Sequence, residues 1–312
     1  MKNFLKYVDI FDGTSCNFSF TSKDIIGGSF SDNFGIVGKG RIVLLKYSNN
    51  LLKPIKEFNF DKGIKCLKFN RLTDYIIHAG DVDGKLIMIN YDYNNHMKEK
   101  IVSNKIYNDE ITSLNLSKIS KNLLLSTSSD NTAKLIDLNN NKIVLNIQNY
   151  SKKGFTSSSI DHKTPNIISL STNDGSILFF DIRNYCTPIK CFTMNNPILT
   201  IDFNPFNSNF AVGESNGIIN IYDLRNDKNI PIIILTGHQL SVKEIKFSPF
   251  HQNILCSCGY DMNINLWDIQ YSLPIKNFKH HTEFVNGIDF SSFNPNILSS
   301  ISFDKSLAIF NY

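Results

Sequence analysis

Apolar and polar residues alternate along most of this chain in short runs, separated by small residues and an Asp or Asn turn. "ILCSCGYDMNINLWDIQ" (254–270) shows the unit: an apolar strand, small residues, Asp261, then a second alternating strand. "LLLSTSSDNTAKLIDLN" (123–139), "IISLSTNDGSILFFDIR" (167–183) and "NFAVGESNGIINIYDLR" (209–225) repeat it. So do "YIIHAGDVDGKLIMINY" (75–91) and "NILSSISFDKSLAIFNY" (296–312). Period-2 alternation predicts half-buried strands, and the turn residues mark where each hairpin reverses.

The turn residues set a repeat. Asp83, Asp130, Asp174, Asn216, Asp261 and Asp304 follow one another at intervals of 47, 44, 42, 45 and 43. An alternating strand precedes each hairpin, as in "VKEIKFSPF" (242–250), and a short one follows, as in "PIIIL" (231–235). Four strands at a period near 44 predict a β-propeller blade. Seven blades fit, near 14–58, 59–103, 104–148, 149–192, 193–235, 236–278 and 279–312. The seventh runs out after its third strand, so "NFLKYVDIF" (3–11) is expected to pair there and close the ring. The expected fold is all-β, with residues 1–312 as one seven-bladed domain. Blade 1 is the least regular: "DIIGGSFSDNFGIVGKGRIVLLKY" (24–47) is long for two strands and predicts a bulge.

Blade 6 carries Gly237-His238, Ser257, Asp261 and Trp267-Asp268. This resembles the WD-repeat family, whose His, Ser, Asp and Trp form a hydrogen-bonded chain across the blade. A buried indole N–H, hydroxyl and imidazole need partners, and the turn Asp ends the chain as acceptor. The register settles the meaning of "HHTEF" (280–284). His238 lies 23 residues before Asp261; the same step back from Asp304 is His281, with Ser300 and Phe310 at the Ser257 and Trp267 positions. His281, Ser300 and Asp304 are therefore read as structural, not as metal ligands. Tyr107 stands where blade 3 would have its His, and Ile89, Ile136, Phe180 and Tyr222 replace the Trp, so apolar packing must hold those blades.

Composition narrows the functional classes. The net charge of +4 comes from 32 basic and 28 acidic residues scattered along the chain, which does not predict a nucleic-acid surface. No run of about 18 apolar residues suggests a membrane-spanning helix. "MKNFLKYVDIFDG" does not read as a signal peptide, which predicts a cytoplasmic chain. The six cysteines form no CxxC pair and are expected to be buried, reduced thiols; Cys256 and Cys258 fall on one strand face. "GKGR" (38–41) lacks phosphate-loop spacing and no nucleophile motif is present, so no enzyme is expected.

Blades 1, 6 and 7 carry a finer resemblance. "CNFSF" (16–20), "NFGIVGKGRIVLL" (33–45), "KFSPFH" (246–251), "SCGYDMNINLWD" (257–268) and "HHTEF", with "YDLRN" (222–226), are similar to the receptors for the type-2 peroxisomal targeting signal. That resemblance implies a task without cofactor or reaction. The receptor would bind an N-terminal, nine-residue amphipathic helix with a basic head. A co-receptor would close over the helix's apolar face, and the complex would dock at the peroxisomal membrane without inserting. It would shuttle between cytoplasm and peroxisome. A basic head calls for carboxylates on the propeller's top face, built from the loops entering each first strand and the turns between second and third strands. Register places Asp61, Asp109, Glu110, Glu214 and Glu283 there, with Glu110 the best match; Tyr260 and Phe284 would supply an apolar wall. The competing class is a generic WD-repeat scaffold, such as a ubiquitin-ligase substrate-recruiting subunit using Arg183 and Arg225 of "FFDIR" and "IYDLR", or a chromatin-complex subunit.

Overall fold

The computed structural model of the protein describes residues 4–48, 51–73, 75–91, 99–117, 122–149, 151–226 and 228–312. Their strands form seven four-stranded sheets, the blades of an all-β propeller. In blade 6, β22 (Val242–Phe247), β23 (Ile254–Gly259), β24 (Ile264–Asp268) and β25 (Pro274–Phe278) lie in chain order. Six of the sheets follow that rule.

Blade 7 is the exception. Its sheet runs β1 (Phe4–Val8), β28 (Ser306–Asn311), β27 (Ile297–Ser302), β26 (Val285–Phe290). β1 pairs antiparallel with β28, from Phe4 opposite Phe310 to Val8 opposite Ser306, and Lys6 Nζ reaches Asp304 Oδ2 at 3.0 Å. The expected N-terminal strand is thus present, but shorter; residues 9–11 lead away from it, and Asn3 lies outside the described residues.

The turns between second and third strands explain the Asp period. The residue after each turn Asp or Asn has a left-handed backbone: Gly84, Asn131, Gly175, Gly217, Met262 and Lys305, at φ of 64 to 88°. The preceding side chain holds the reversal. Asp130, Asp174, Asn216, Asp261 and Asp304 each accept the N–H two residues on, at 3.0–3.2 Å. Blade 2 differs. There Asp81 accepts the N–H of Asp83 (3.0 Å) and Lys85 (2.7 Å), so Asp83 is released to the surface.

A second repeat has no counterpart in the sequence pattern. Among the described residues, the first strand of five blades holds one unpaired extra residue near its start: Thr14, Lys65, Thr156, Leu199 and Lys243. Such a bulge bends the strand and redirects a side chain. In blade 1 a further irregularity falls at Leu44/Leu45, within the stretch expected to bulge. Most of the surplus length there goes elsewhere, into the connection 32–39 between β3 (Ile25–Ser31) and β4 (Gly40–Ser48).

The chain divides into two compact units, Met1–Leu114 with Asn286–Tyr312, and Asn115–Val285. In the first, Phe30, Ile26, Val43, Ile301 and Leu307 pack between blades 7 and 1, and Leu44, Ile64, Phe69 and Ile77 between blades 1 and 2. In the second, Phe179, Phe192, Phe210 and Tyr222 form one aromatic cluster and Trp267 lies fully buried in another core. The Trp substitutes Ile89, Ile136, Phe180 and Tyr222 are all buried, as apolar packing requires. Cys256 and Cys258 are buried on one face of β23, and Cys16 and Cys66 are buried too. Cys186 and Cys191 depart from expectation: both are exposed, one after the third strand of blade 4 and the other on its outer strand.

Candidate functional site

In the first unit, two loops and a turn meet beside blade 2. Residues 61–63 enter β6 (Ile64–Phe69), and residues 106–110 enter β10 (Ile111–Leu116). Between them sits the turn from β7 (Ile76–Asp81) to β8 (Lys85–Asn90). Val82 N–H donates to Gly63 O, and Tyr107 N–H to Gly84 O, both at 3.1 Å. A Cβ on Gly84 would lie 2.5 Å from Tyr107 O, so the turn approaches this closely only with glycine.

That assembly carries three of the expected acids. Asp61 is exposed; Asp109 is exposed and accepts the Glu110 N–H at 2.8 Å. Glu110 is not an open carboxylate: its Oε2 is 2.9 Å from Lys65 Nζ. Lys65 is the extra residue of the blade 2 bulge, so the irregularity delivers a cation to the neighbouring blade's pre-strand acid. Asp83, released by Asp81, pairs with Lys62 Nζ at 3.3 Å. Both pairs are partly solvated, a setting in which an ion pair is worth ~0–1 kcal/mol and remains exchangeable.

In the second unit the expected residues separate. Tyr260 and Phe284 stack on each other, with ring centroids 4.9 Å apart and planes at 25°. Glu283 is exposed beside them. Glu214 is a correction. It was expected as a turn acid, but it is the last residue of β19 (Asn209–Glu214) and is only 4% exposed. The amides of Asn196 and Asn220 donate to its two carboxylate oxygens and hold the carboxylate inside the blade.

The blade 6 polar chain is complete. Trp267 Nε1–H donates to Ser257 Oγ at 2.8 Å, and Ser257 Oγ lies 2.7 Å from His238 Nε2. His238 Nδ1 meets both oxygens of Asp261, at 2.9 and 3.0 Å. With Ser257 accepting from the indole, its own O–H is left to donate to Nε2, and Nδ1–H donates to the Asp261 carboxylate. Burial alone would raise Asp261; its contacts with His238, Asn263 and Gln239 outweigh that and hold the carboxyl near 2. In blade 7, His281 is buried at 6% exposure and Ser300 fully so. Among the described residues no group of three or more His, Cys, Asp or Glu could hold a metal ion, and no helix is long and apolar enough to cross a membrane.

Two features escaped the sequence reading. Lys65 sits in an ordinary-looking strand, "IKCLKF", and only the pairing register shows it to be a bulge. The blade 1 connection presents Phe34, Ile36 and Val37 to solvent at 53, 73 and 68% exposure. The sequence marks 24–47 only as long for two strands, and periodicity does not report the exposure of "NFGIV" within it.

Comparison with known proteins is consistent with this architecture. A family profile described as "WD domain, G-beta repeat" matches residues 229–268 and 272–311, so the chain carries WD repeats. The peroxisomal targeting signal 2 receptor of Schizosaccharomyces pombe is 23% identical over 276 residues, 88% of either chain. That of Homo sapiens is 41% identical over 64 residues, 20% of this chain and 19% of its own. Histone acetyltransferase type B subunit 2 of Candida glabrata is 28% identical over 225 residues, 70% of this chain and 53% of its own.

Proposed function

We propose that this WD-repeat propeller is a cargo receptor, not an enzyme, and that it binds the N-terminal type-2 peroxisomal targeting signal together with a co-receptor. The supporting observation is similarity, over 88% of both chains, to a receptor for that signal. The loops beside blade 2 add a physical reason. They bring Asp61, Asp83, Asp109 and Glu110 to one edge, with two lysines already held by exchangeable ion pairs. An arginine offers a planar, bidentate fork to a carboxylate and competes well with a lysine ammonium there. On this reading the loaded receptor docks at the peroxisomal membrane through a docking complex, inserts nothing into it, and returns to the cytoplasm. It uses no cofactor and binds no nucleic acid.

A scaffold role is the second reading, favoured by the match to a histone acetyltransferase subunit. The ligase variant of that role meets an obstacle. Arg183 and Arg225 are exposed, but each is folded back onto the Asp two residues before it, Asp181 and Asp223, at 2.6 Å.

The deciding experiment is a titration of a labelled type-2 signal peptide against the purified protein, with and without co-receptor. Saturable binding that is lost when the peptide's basic head is replaced by glutamine supports the receptor reading. No binding under either condition leaves the scaffold reading.

A further inference from the structure

Blade 1 departs from the other blades at the connection between its second and third strands. Elsewhere that turn has three or four residues; here it has eight, Asp32 to Lys39. Three consecutive residues adopt left-handed backbone, Asn33 (φ 48°), Phe34 (φ 59°) and Gly35 (φ 71°). Glycine does so freely, asparagine tolerates it, but a phenylalanine pays roughly 1–2 kcal/mol. Strain of this kind persists only where surrounding contacts enforce it, and it concentrates at sites of function.

The contacts are present. Asp32 N–H donates to Lys39 O at 2.9 Å, and Phe34 N–H to Asp12 Oδ2 at 2.8 Å. Asn33 donates its N–H to Asp32 Oδ1 at 3.0 Å and its side-chain amide to Val37 O at 3.3 Å. The Phe34 ring stands edge-on to Phe303, 5.0 Å away, in the blade 7 turn. The same turn receives Asp9 N–H at Lys305 O (2.8 Å), next to Ile10, which is 61% exposed. The strained loop therefore holds large apolar side chains in water rather than hiding them, which marks an interaction surface.

Contiguity with the proposed acidic edge selects the occupant. The Asp61–Gly63 loop abuts this one: a Cβ on Gly63 would sit 3.4 Å from Gly35 Cα. Exposed Asp61 thus borders the apolar loop, and the neighbouring Lys62 is drawn to Asp83. Asp61 belongs to the edge proposed above for the signal's basic head, so an apolar segment continuing from that head would run onto this loop, whose own Asp32 and exposed Lys39 offset each other in charge. We infer that the blade 1 loop is the seat for apolar residues of the signal helix, with Phe34, Ile36 and Val37 as the seat and Asp61 receiving a flanking basic residue. This inference rests on the receptor reading above. A helix's apolar stripe is at least about 100° wide, so the seat and a co-receptor can share it.

The test uses the full chain with the co-receptor and two labelled peptides: a type-2 signal and the same peptide with its apolar positions changed to serine. The variant is Phe34→Ser/Ile36→Ser/Val37→Ser, at exposed positions, its fold checked by thermal melting. The intact signal should bind the variant at least about tenfold more weakly than wild type. The serine peptide should bind wild type and variant alike, since the two changes remove the same contact. Equal affinity of the intact signal for wild type and variant overturns the seat while leaving the receptor reading in place. Failure of wild type to bind the signal overturns both. A concentration-dependent dimer of wild type, absent in the variant by sedimentation, would make the loop a self-interface and also overturn the seat.

Discussion

Lys65 Nζ lies 2.9 Å from Glu110 Oε2, joining the bulge of one blade to the loop that enters the next. An acid that sequence register offers to a ligand is already answered from within the chain. An incoming cation must displace Lys65 or share the carboxylate with it. Glu110→Gln should therefore weaken a basic-headed peptide, and Lys65→Gln should tighten it. With the pair as solvated as it is here, each change should be worth less than about 1 kcal/mol and fade in salt. If a co-receptor buries the site, Glu110→Gln should cost ~2–5 kcal/mol instead. Peptide titrations at two salt concentrations, with and without co-receptor, separate these regimes; identical affinities for all three proteins would remove Glu110 from the site.

Ser257 is the hinge of the blade 6 chain. Replacing it with alanine leaves the Trp267 N–H and the His238 Nε2 buried without their partner, at about 1–3 kcal/mol each. Chemical denaturation should show Ser257→Ala less stable by about 2 kcal/mol or more. Asp261 adds a pH signature. Its folded carboxyl, near 2, lies below the ordinary 3.8, so its stabilisation is complete above the ordinary value and is lost as pH falls toward 2. Asp261→Asn should flatten stability in that window.

His78 answers to a different window. It lies 1% exposed on β7, and neither ring nitrogen has a hydrogen-bond partner among the described residues. Burial pushes its pKa down to about 4, from 6.5. A lowered histidine penalises the fold once the unfolded chain can bind the proton and the folded one cannot. Stability should fall as pH drops from about 6.5 to 4, by about 3 kcal/mol in total, and level off below. His78→Leu should lose that slope; an unchanged slope by denaturant titration would show that His78 is not its origin.

The proposal that residues 1–312 behave as one domain has a calorimetric consequence. Heating should give a single transition whose van't Hoff and calorimetric enthalpies agree. Two resolved transitions would make the two compact units separate domains. Deleting residues 1–8 removes the outer strand of blade 7 and the Lys6–Asp304 contact. It should lower the melting temperature and bare the edge of β28 to aggregation.

The sequence by itself determined the blades. Strand alternation and the Asp or Asn turn are local, so six turn residues fixed the repeat and seven four-stranded sheets followed. It also determined the His238–Ser257–Trp267–Asp261 chain, because those four residues occupy fixed offsets within one blade. It determined much less of the site. The burial of Glu214 depends on Asn196 and Asn220, an inter-strand loop and a facing strand whose closeness no spacing announces. The ion pair of Glu110 depends on a one-residue bulge that leaves the apolar pattern of β6 readable as an ordinary strand. The exposure of Phe34, Ile36 and Val37 depends on a left-handed run that carries strand-like residues out of the sheet. Periodicity reports which face of a strand is apolar. Only tertiary structure decides which charges meet across blades, because that is set by side chains from separate repeats converging at one edge.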